Sequence, residues 1–271
     1  DLSYNEIKST LNSGDELKAP LTITNNGNET LLYSITPNPE YISFSEEFSA
    51  DSKVSYAYTA SIDGAGAKYD WVDIETTGLG EQNNFTYYNS HDFVAVELPF
   101  EFPFYGKKYS KMYVYNTGFV SFTERNDDKV WPEPPAAFPG GTVYTNLIAP
   151  YWGLHTMDQT KSAGTYHYVT ENEAIISWME YGNTMNMGVC YQLIMREDGS
   201  FKFQYKGLGD YAVIYSAFGL AGLSNEDGSN GVKIPERYIQ FGNAVEFTPV
   251  VEVAVAAGEN RVVDSEVLTD K

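Results

Sequence analysis

The groups in this chain whose types could do chemistry are three histidines, a scatter of acids and one evenly spaced run of oxygen-bearing residues. His91-Asp92, and His155 with Asp158, place an imidazole beside a carboxylate, the pairing that orients a general base. Neither pair has a serine or cysteine in a nucleophile-type setting, and no G-x-S-x-G elbow occurs; Ser224, between Leu223 and Asn225, reads as part of a turn. Glu97, Glu101, Glu133 and Glu180 are the acids available for a glycosidase-type carboxylate pair. They fall mostly on outward strand faces or in loops, where carboxylates are ordinarily solvated. Asn225, Asp227 and Ser229 stand at every second position with Glu236 downstream, which is the spacing of a calcium loop. Asn230 stands where that loop needs glycine, the first ligand is neutral and no helices are expected on either side. The same residues make a tight turn, so calcium is the one candidate cofactor and a plain turn the competing reading. Trp131 and Tyr144 lie in a long loop and could offer flat rings to a sugar or a peptide. Alternatively, Trp131 pins that loop to a sheet.

What must position these groups is legible in the pattern of apolar residues. From Val94 to Phe104 every even position is large and apolar, and the odd positions are Ala, Glu or Pro. This period of two defines a strand with one buried face. Pro99 and Pro103 cannot donate to a ladder, which places the strand at a sheet edge or breaks the ladder there. Leu17 to Ile23 and Leu31 to Ile35 alternate on either side of Asn25-Asn26-Gly27-Asn28 and read as a hairpin. Further strands are expected at Tyr109–Tyr115, Phe119–Phe122, Asn146–Trp152, Tyr166–Val169, Ala174–Met179 and Val189–Met195. Phe201, Phe203 and Tyr205 follow across an Asp-Gly turn, with Lys202, Gln204 and Lys206 facing out. Ala217–Leu223 and Arg237–Phe241 add more, and Trp71, Trp152 and Trp178 are expected in the core. No stretch sustains a 3.6-residue period, so helices are expected to be few and short.

Composition narrows the function classes. With 17 basic against 37 acidic residues the net charge is −20, which argues against nucleic acid and against an anionic membrane surface. No run is long and apolar enough to span a bilayer, and no signal peptide opens the chain, as expected of a mature form or an excised fragment. The single cysteine, Cys190, excludes an internal disulfide and a thiolate cluster, and its apolar surroundings predict a buried, inert thiol. The aromatic share of 15%, with 22 Tyr and 15 Phe, suits strands packed on a common core.

Several phrases together carry a family resemblance. They are Tyr69-Asp70-Trp71, Leu98-Pro99-Phe100 through Tyr105-Gly106, Tyr113 through Phe122, Asn146 through Trp152, Arg196-Glu197-Asp198-Gly199-Ser200-Phe201 and Gly222 through Gly228. In this order they resemble a β-sandwich module of secreted and surface-anchored bacterial proteins, often found beside subtilisin-like peptidases. More loosely, the module is similar to the nidogen-type domain of animal adhesion proteins. Gly153-Leu154-His155 departs from the pattern, since related modules carry acids there. Leu21 through Gly27 and Val253 through Glu259 resemble pieces of an Ig-like or fibronectin-like sandwich.

The expected fold is therefore all-β, an antiparallel β-sandwich of jelly-roll-like or nidogen-like type with Ig-like strands at the N- and C-terminal ends. Residues 1–50 are expected as Ig-like strands, 51–68 as a linker, 69–249 as the large sandwich, and 250–271 as Ig-like strands that could complete the first set. The resemblance implies a non-catalytic accessory, adhesion or substrate-docking module, secreted or at the cell surface, meeting a protein or glycan and the other domains of its parent. A carbohydrate-binding module using Trp131 and Tyr144 is the alternative, and a hydrolase built on His91 or His155 a third reading.

Overall fold

A computed structural model describes residues 16–18, 21–28, 31–35, 42–44, 53–64, 66–85, 92–125, 134–153, 164–179, 189–208, 219–255, 260–263 and 265–268. Among these there is no α-helix; two 3₁₀ turns, Ser61–Asp63 and Glu236–Tyr238, are the helical pieces. The strands run β1 Glu16–Lys18, β2 Leu21–Thr24, β3 Leu31–Ile35, β4 Ile42–Phe44, β5 Lys53–Ala60, β6 Glu81–Asn83 and β7 Phe93–Phe104. There follow β8 Lys107–Tyr115, β9 Phe119–Ser121, β10 Leu147–Trp152, β11 Gly164–Val169, β12 Glu173–Met179 and β13 Val189–Arg196. Last come β14 Phe201–Leu208, β15 Leu220–Ser224, β16 Gly231–Lys233, β17 Ala244–Val255, β18 Asn260–Val263 and β19 Ser265–Leu268.

The chain divides into two units, one of residues 1–55 and 249–271, the other Tyr56–Thr248. In the smaller unit, strands from the two chain ends pair with each other. β2 pairs antiparallel with β18, β1 and β4 both pair with β19, and β3 pairs with Val251–Val255. The hairpin expected across Asn25–Asn28 is thus not formed, because β2 and β3 each take a C-terminal partner in a different sheet. A turn signal is local, whereas a strand's partner is chosen by which distant strand completes its ladder.

The larger unit is a β-sandwich of two antiparallel sheets, as its alternation predicts. One sheet has the order β16-β15-β10-β9-β8-β7, the other β17-β14-β13-β12-β11-β6, with β5 also on β17. The expected linker over 51–68 therefore contains a strand, whose Tyr56 and Ala60 are buried in the core. β7 behaves as its prolines require: it ends its sheet, and its register with β8 shifts between Glu97 and Phe102. Val96, Leu98, Phe100, Phe102 and Phe104 are buried, while Ala95, Glu97, Pro99 and Glu101 are exposed. Phe102 and Phe104 meet Phe122, just after β9, with centroids 5.5 and 5.0 Å apart, and share one core with Phe201, Phe203 and Phe247 of the facing sheet. Each buried phenylalanine stabilises by roughly 1.5–3 kcal/mol, which is how period-two patterning becomes a rigid scaffold.

The outward face of the second sheet is also covered, which overturns the expectation for Lys202 and Gln204: both are buried. The segment carrying Tyr69-Asp70-Trp71 lies there without joining a ladder, and two glutamines stand in for the missing strand. Gln204 accepts from Asp70 N–H at 2.6 Å and donates to Asp70 O at 2.8 Å. Gln192 does the same for Val72, at 3.3 and 2.8 Å. A primary amide has the donor and acceptor geometry of a peptide group, so each satisfies backbone that would otherwise be buried unpaired. Cys190 is half-buried rather than fully enclosed, and Trp152 and Trp178 are fully buried as expected.

Candidate functional site

The sandwich opens between its sheets where β7 ends one and β6 and β11 end the other. β6 pairs with β11 in the register Glu81↔His167 and Asn83↔Thr165. Alternation sends Thr165, His167 and Val169 toward the opposite sheet, the same side as Trp178 and Ile176 on β12. A groove of about 430 Å³ results, with Leu79, Val94, Val96 and Val169 as apolar walls. Glu81 and His167 supply its charge and polarity, and Glu97 borders it from the outward face of β7.

His167 is the best-defined polar group in the groove. Its Nδ1 lies 2.7 Å from Asn83 Oδ1, and its Nε2 lies 3.9 Å from a Glu81 carboxylate oxygen. The imidazole is 16% exposed and the Glu81 side chain 81% exposed. Burial pushes the imidazole's pKa below its ordinary value, and Glu81 pulls it back only in part. At neutral pH the ring is uncharged; Nδ1–H then donates to Asn83 and Nε2 is an acceptor. Behind the ring, Asn83 Nδ2 and Thr165 Oγ1 are buried without a partner among the described residues, and neither residue lines the groove. His167 bonds an amide, and among the described residues no serine, threonine or cysteine bonds to its ring.

Because its folded pKa is lowered, His167 adds stability above its unfolded value near 6.5, and that stability is lost as pH falls from there through the folded value. Thermal melting followed from pH 7.5 to 5 is expected to show Tm falling, with a shallower fall in His167→Gln. Identical slopes in the two proteins would rule the imidazole out as the source. Asp73 and Asp227, whose carboxyls are held low by bonds from Thr76 and Ser229 respectively, act further into acid and do not blur this window.

The model of the family described as NIDO related matches residues 66–232, more than half of the chain. The chain belongs to the NIDO-related family. No curated protein and no solved structure matches it. The matched span contains both rims of the groove and the glutamine-held segment, and it accords with the nidogen-like resemblance of the sequence phrases.

Of the residues singled out from sequence, those that are described do not gather at one site. Trp131 lies outside the described residues, as do His91, His155, Asp158, Glu133 and Glu180. Tyr144, expected as a loop platform, is 3% exposed. Its ring meets Tyr115, Phe119 and Trp152 nearly edge-on, at 5.9, 5.8 and 6.1 Å. Residues 134–145 fold over the outer face of the six-stranded sheet, and burying the ring there outweighs exposing it. Tyr144 is therefore a packing residue and offers no stacking surface.

Asn225, Asp227 and Ser229 form the turn between β15 and β16, and they spend their oxygens on one another. Asp227 Oδ1 accepts from Ser229 N–H at 2.9 Å and from its hydroxyl at 2.6 Å, and Asn225 Oδ1 accepts from Asn230 N–H at 3.0 Å. β16 then runs back along β15, so Glu236 begins its 3₁₀ turn at the far end of the hairpin. Among the described residues no group of three or more His, Cys, Asp or Glu could hold a metal ion. Glu97 and Glu101 lie on the outward face beside Lys111 and Lys108, at 2.6 and 3.2 Å. Sequence reasoning passed over His167, Asn83 and Thr165. The available signal was that Thr165, His167 and Val169 share one face of a strand, which becomes informative only once β6 is known to lie beside it.

Proposed function

We propose that this chain is a non-catalytic docking module of a secreted or cell-surface bacterial protein, recognising a protein partner through its NIDO-related domain. The observation that carries this reading is the groove: a double-sheet scaffold opens onto a cleft whose walls carry valines, a neutral imidazole and a carboxylate. Membership of the NIDO-related family supports an accessory role. A parent protein bearing a subtilisin-like peptidase is the setting suggested by the sequence phrases. The pairing of strands from both chain ends supports reading those ends as one Ig-like unit flanking the module.

The full chain, immobilised and presented with panels of purified extracellular proteins and of glycans, is expected to retain a protein and leave it intact. Cleavage of any protein or glycan by the purified chain would overturn the non-catalytic reading. Retention of glycans alone would return the carbohydrate-binding alternative, now without Tyr144.

A further inference from the structure

A strand at the rim of a sheet carries a row of backbone donors and acceptors that invites another chain, and proteins blunt such rims with proline, bulges or charge. β7 is such a strand: it pairs with β8, and among the described residues no strand lies on its other side. Its protection is uneven. Pro99, Pro103 and the irregularity between Glu97 and Phe102 disarm the second half. The first half, Phe93–Leu98, has no proline and holds a regular register with β8 as far as Glu97. Asn116 N–H donates to Asp92 O at 3.4 Å, which makes that opposed pair a hydrogen-bonded one. By alternation, Val94 and Val96 spend their backbone groups on β8, and Phe93, Ala95 and Glu97 turn theirs to the open side. The groove lies along this same stretch.

A peptide added beside β7 would send alternate side chains inward past Val94 and Val96, toward Glu81 and His167. Glu97 already holds Lys111 at 2.6 Å, whereas Glu81 has the imidazole for its neighbour and no lysine or arginine among the described residues. The net charge of −20 adds a long-range pull on a cationic segment. We propose that the Phe93–Leu98 edge captures an extended segment of a protein partner by strand addition, a lysine or arginine of that segment entering the groove to meet Glu81. This inference rests on the docking-module reading above.

Fluorescent heptapeptides of alternating threonine and valine, with a central Lys, Gln or Glu, test it by titration into the full chain at low and high salt. The Lys peptide is expected to bind about tenfold more tightly than the Glu peptide, a preference that shrinks as salt rises. Glu81→Gln is expected to cut the preference to the small, salt-sensitive remainder left by the overall charge, while all three peptides still bind. Ala95→Pro removes one outward N–H at an exposed position and is expected to weaken all three about tenfold. A Lys peptide N-methylated at alternate residues, which cannot form the ladder, covers the case in which Ala95→Pro does not fold; it is expected not to bind wild type. Absence of peptide binding, equal binding of the three peptides to wild type, or undiminished binding of the N-methylated peptide overturns the inference. A protein partner held equally well by wild type, Ala95→Pro and Glu81→Gln leaves the docking module standing and removes the edge as its site. Capture of no partner by wild type removes the module reading itself.

Discussion

Trp178→Ala is expected to destabilise the NIDO-related domain by about 3–5 kcal/mol, the usual cost of emptying a buried indole site. In a domain of this size that corresponds to a fall in Tm of roughly 10 °C. Trp178 is fully buried on β12, and its ring stacks on Tyr191 with centroids 5.3 Å apart and planes inclined by 18°. Its Nε1–H donates to Tyr115 O at 2.9 Å, tying the second sheet to the end of β8 in the first. Two losses are therefore combined: dispersion and burial on one side, a shared hydrogen bond on the other. Trp178→Phe separates them, since it keeps most of the apolar volume and drops the donor. Tyr115 O keeps the bond from Gly118 N–H, so the cost is expected to be about 0.5–1.5 kcal/mol, the net worth of one hydrogen bond. Calorimetric unfolding of both variants checks the pair. Equal losses would mean that the ring's volume contributes little, contrary to the packing described.

Gly118→Ala strikes the same junction from the backbone. The turn Asn116-Thr117-Gly118 is buried, with Gly118 N–H donating to Tyr115 O at 3.3 Å and Gly153 N–H to Thr117 O at 3.0 Å. Gly118 has φ +94, and a Cβ there would stand 2.0 Å from Tyr151 O and 2.4 Å from Tyr191 Oη. The left-handed conformation costs a side chain about 1–2 kcal/mol, and an unyielding backbone oxygen adds to it. The total is expected to exceed about 3 kcal/mol, in the range reserved for strain at special positions. Gly64→Ala is the control: its φ is +78 but nothing lies within 4 Å of the added carbon, so only the conformational cost of about 1–2 kcal/mol remains. Denaturant titration of both proteins reads the difference, and equal costs would remove the close approach as the reason for glycine.

The route from sequence to this architecture was uneven, and the unevenness has a physical pattern. β7 was legible in full, its buried face, its edge position and its broken ladder, because alternation and the two prolines act within the strand itself. The turn at Asn225–Asn230 was legible for the same reason, since Asp and Asn side chains bond their own neighbouring backbone. The N-terminal hairpin does not form. Its Asn-Gly signal was local, yet β2 and β3 are paired by residues more than two hundred positions away. Gln204 and Lys202 were placed outside because alternation assigns a face but does not say what covers it. Tyr144 was misassigned likewise, its loop being long enough to fold back on a hydrophobic face.

Side-chain period, proline placement and turn chemistry were sufficient to establish an antiparallel sandwich and its aromatic interior, because each depends on residues a few positions apart. The groove was decided only in three dimensions. His167, Glu81 and the edge of β7, which no other described strand flanks, come from strands remote in the chain, and no one of them carries a local mark of the site. Burial, charge state and unused hydrogen-bonding capacity arise there from what the facing sheet does and does not cover, a property of the closed fold rather than of any segment.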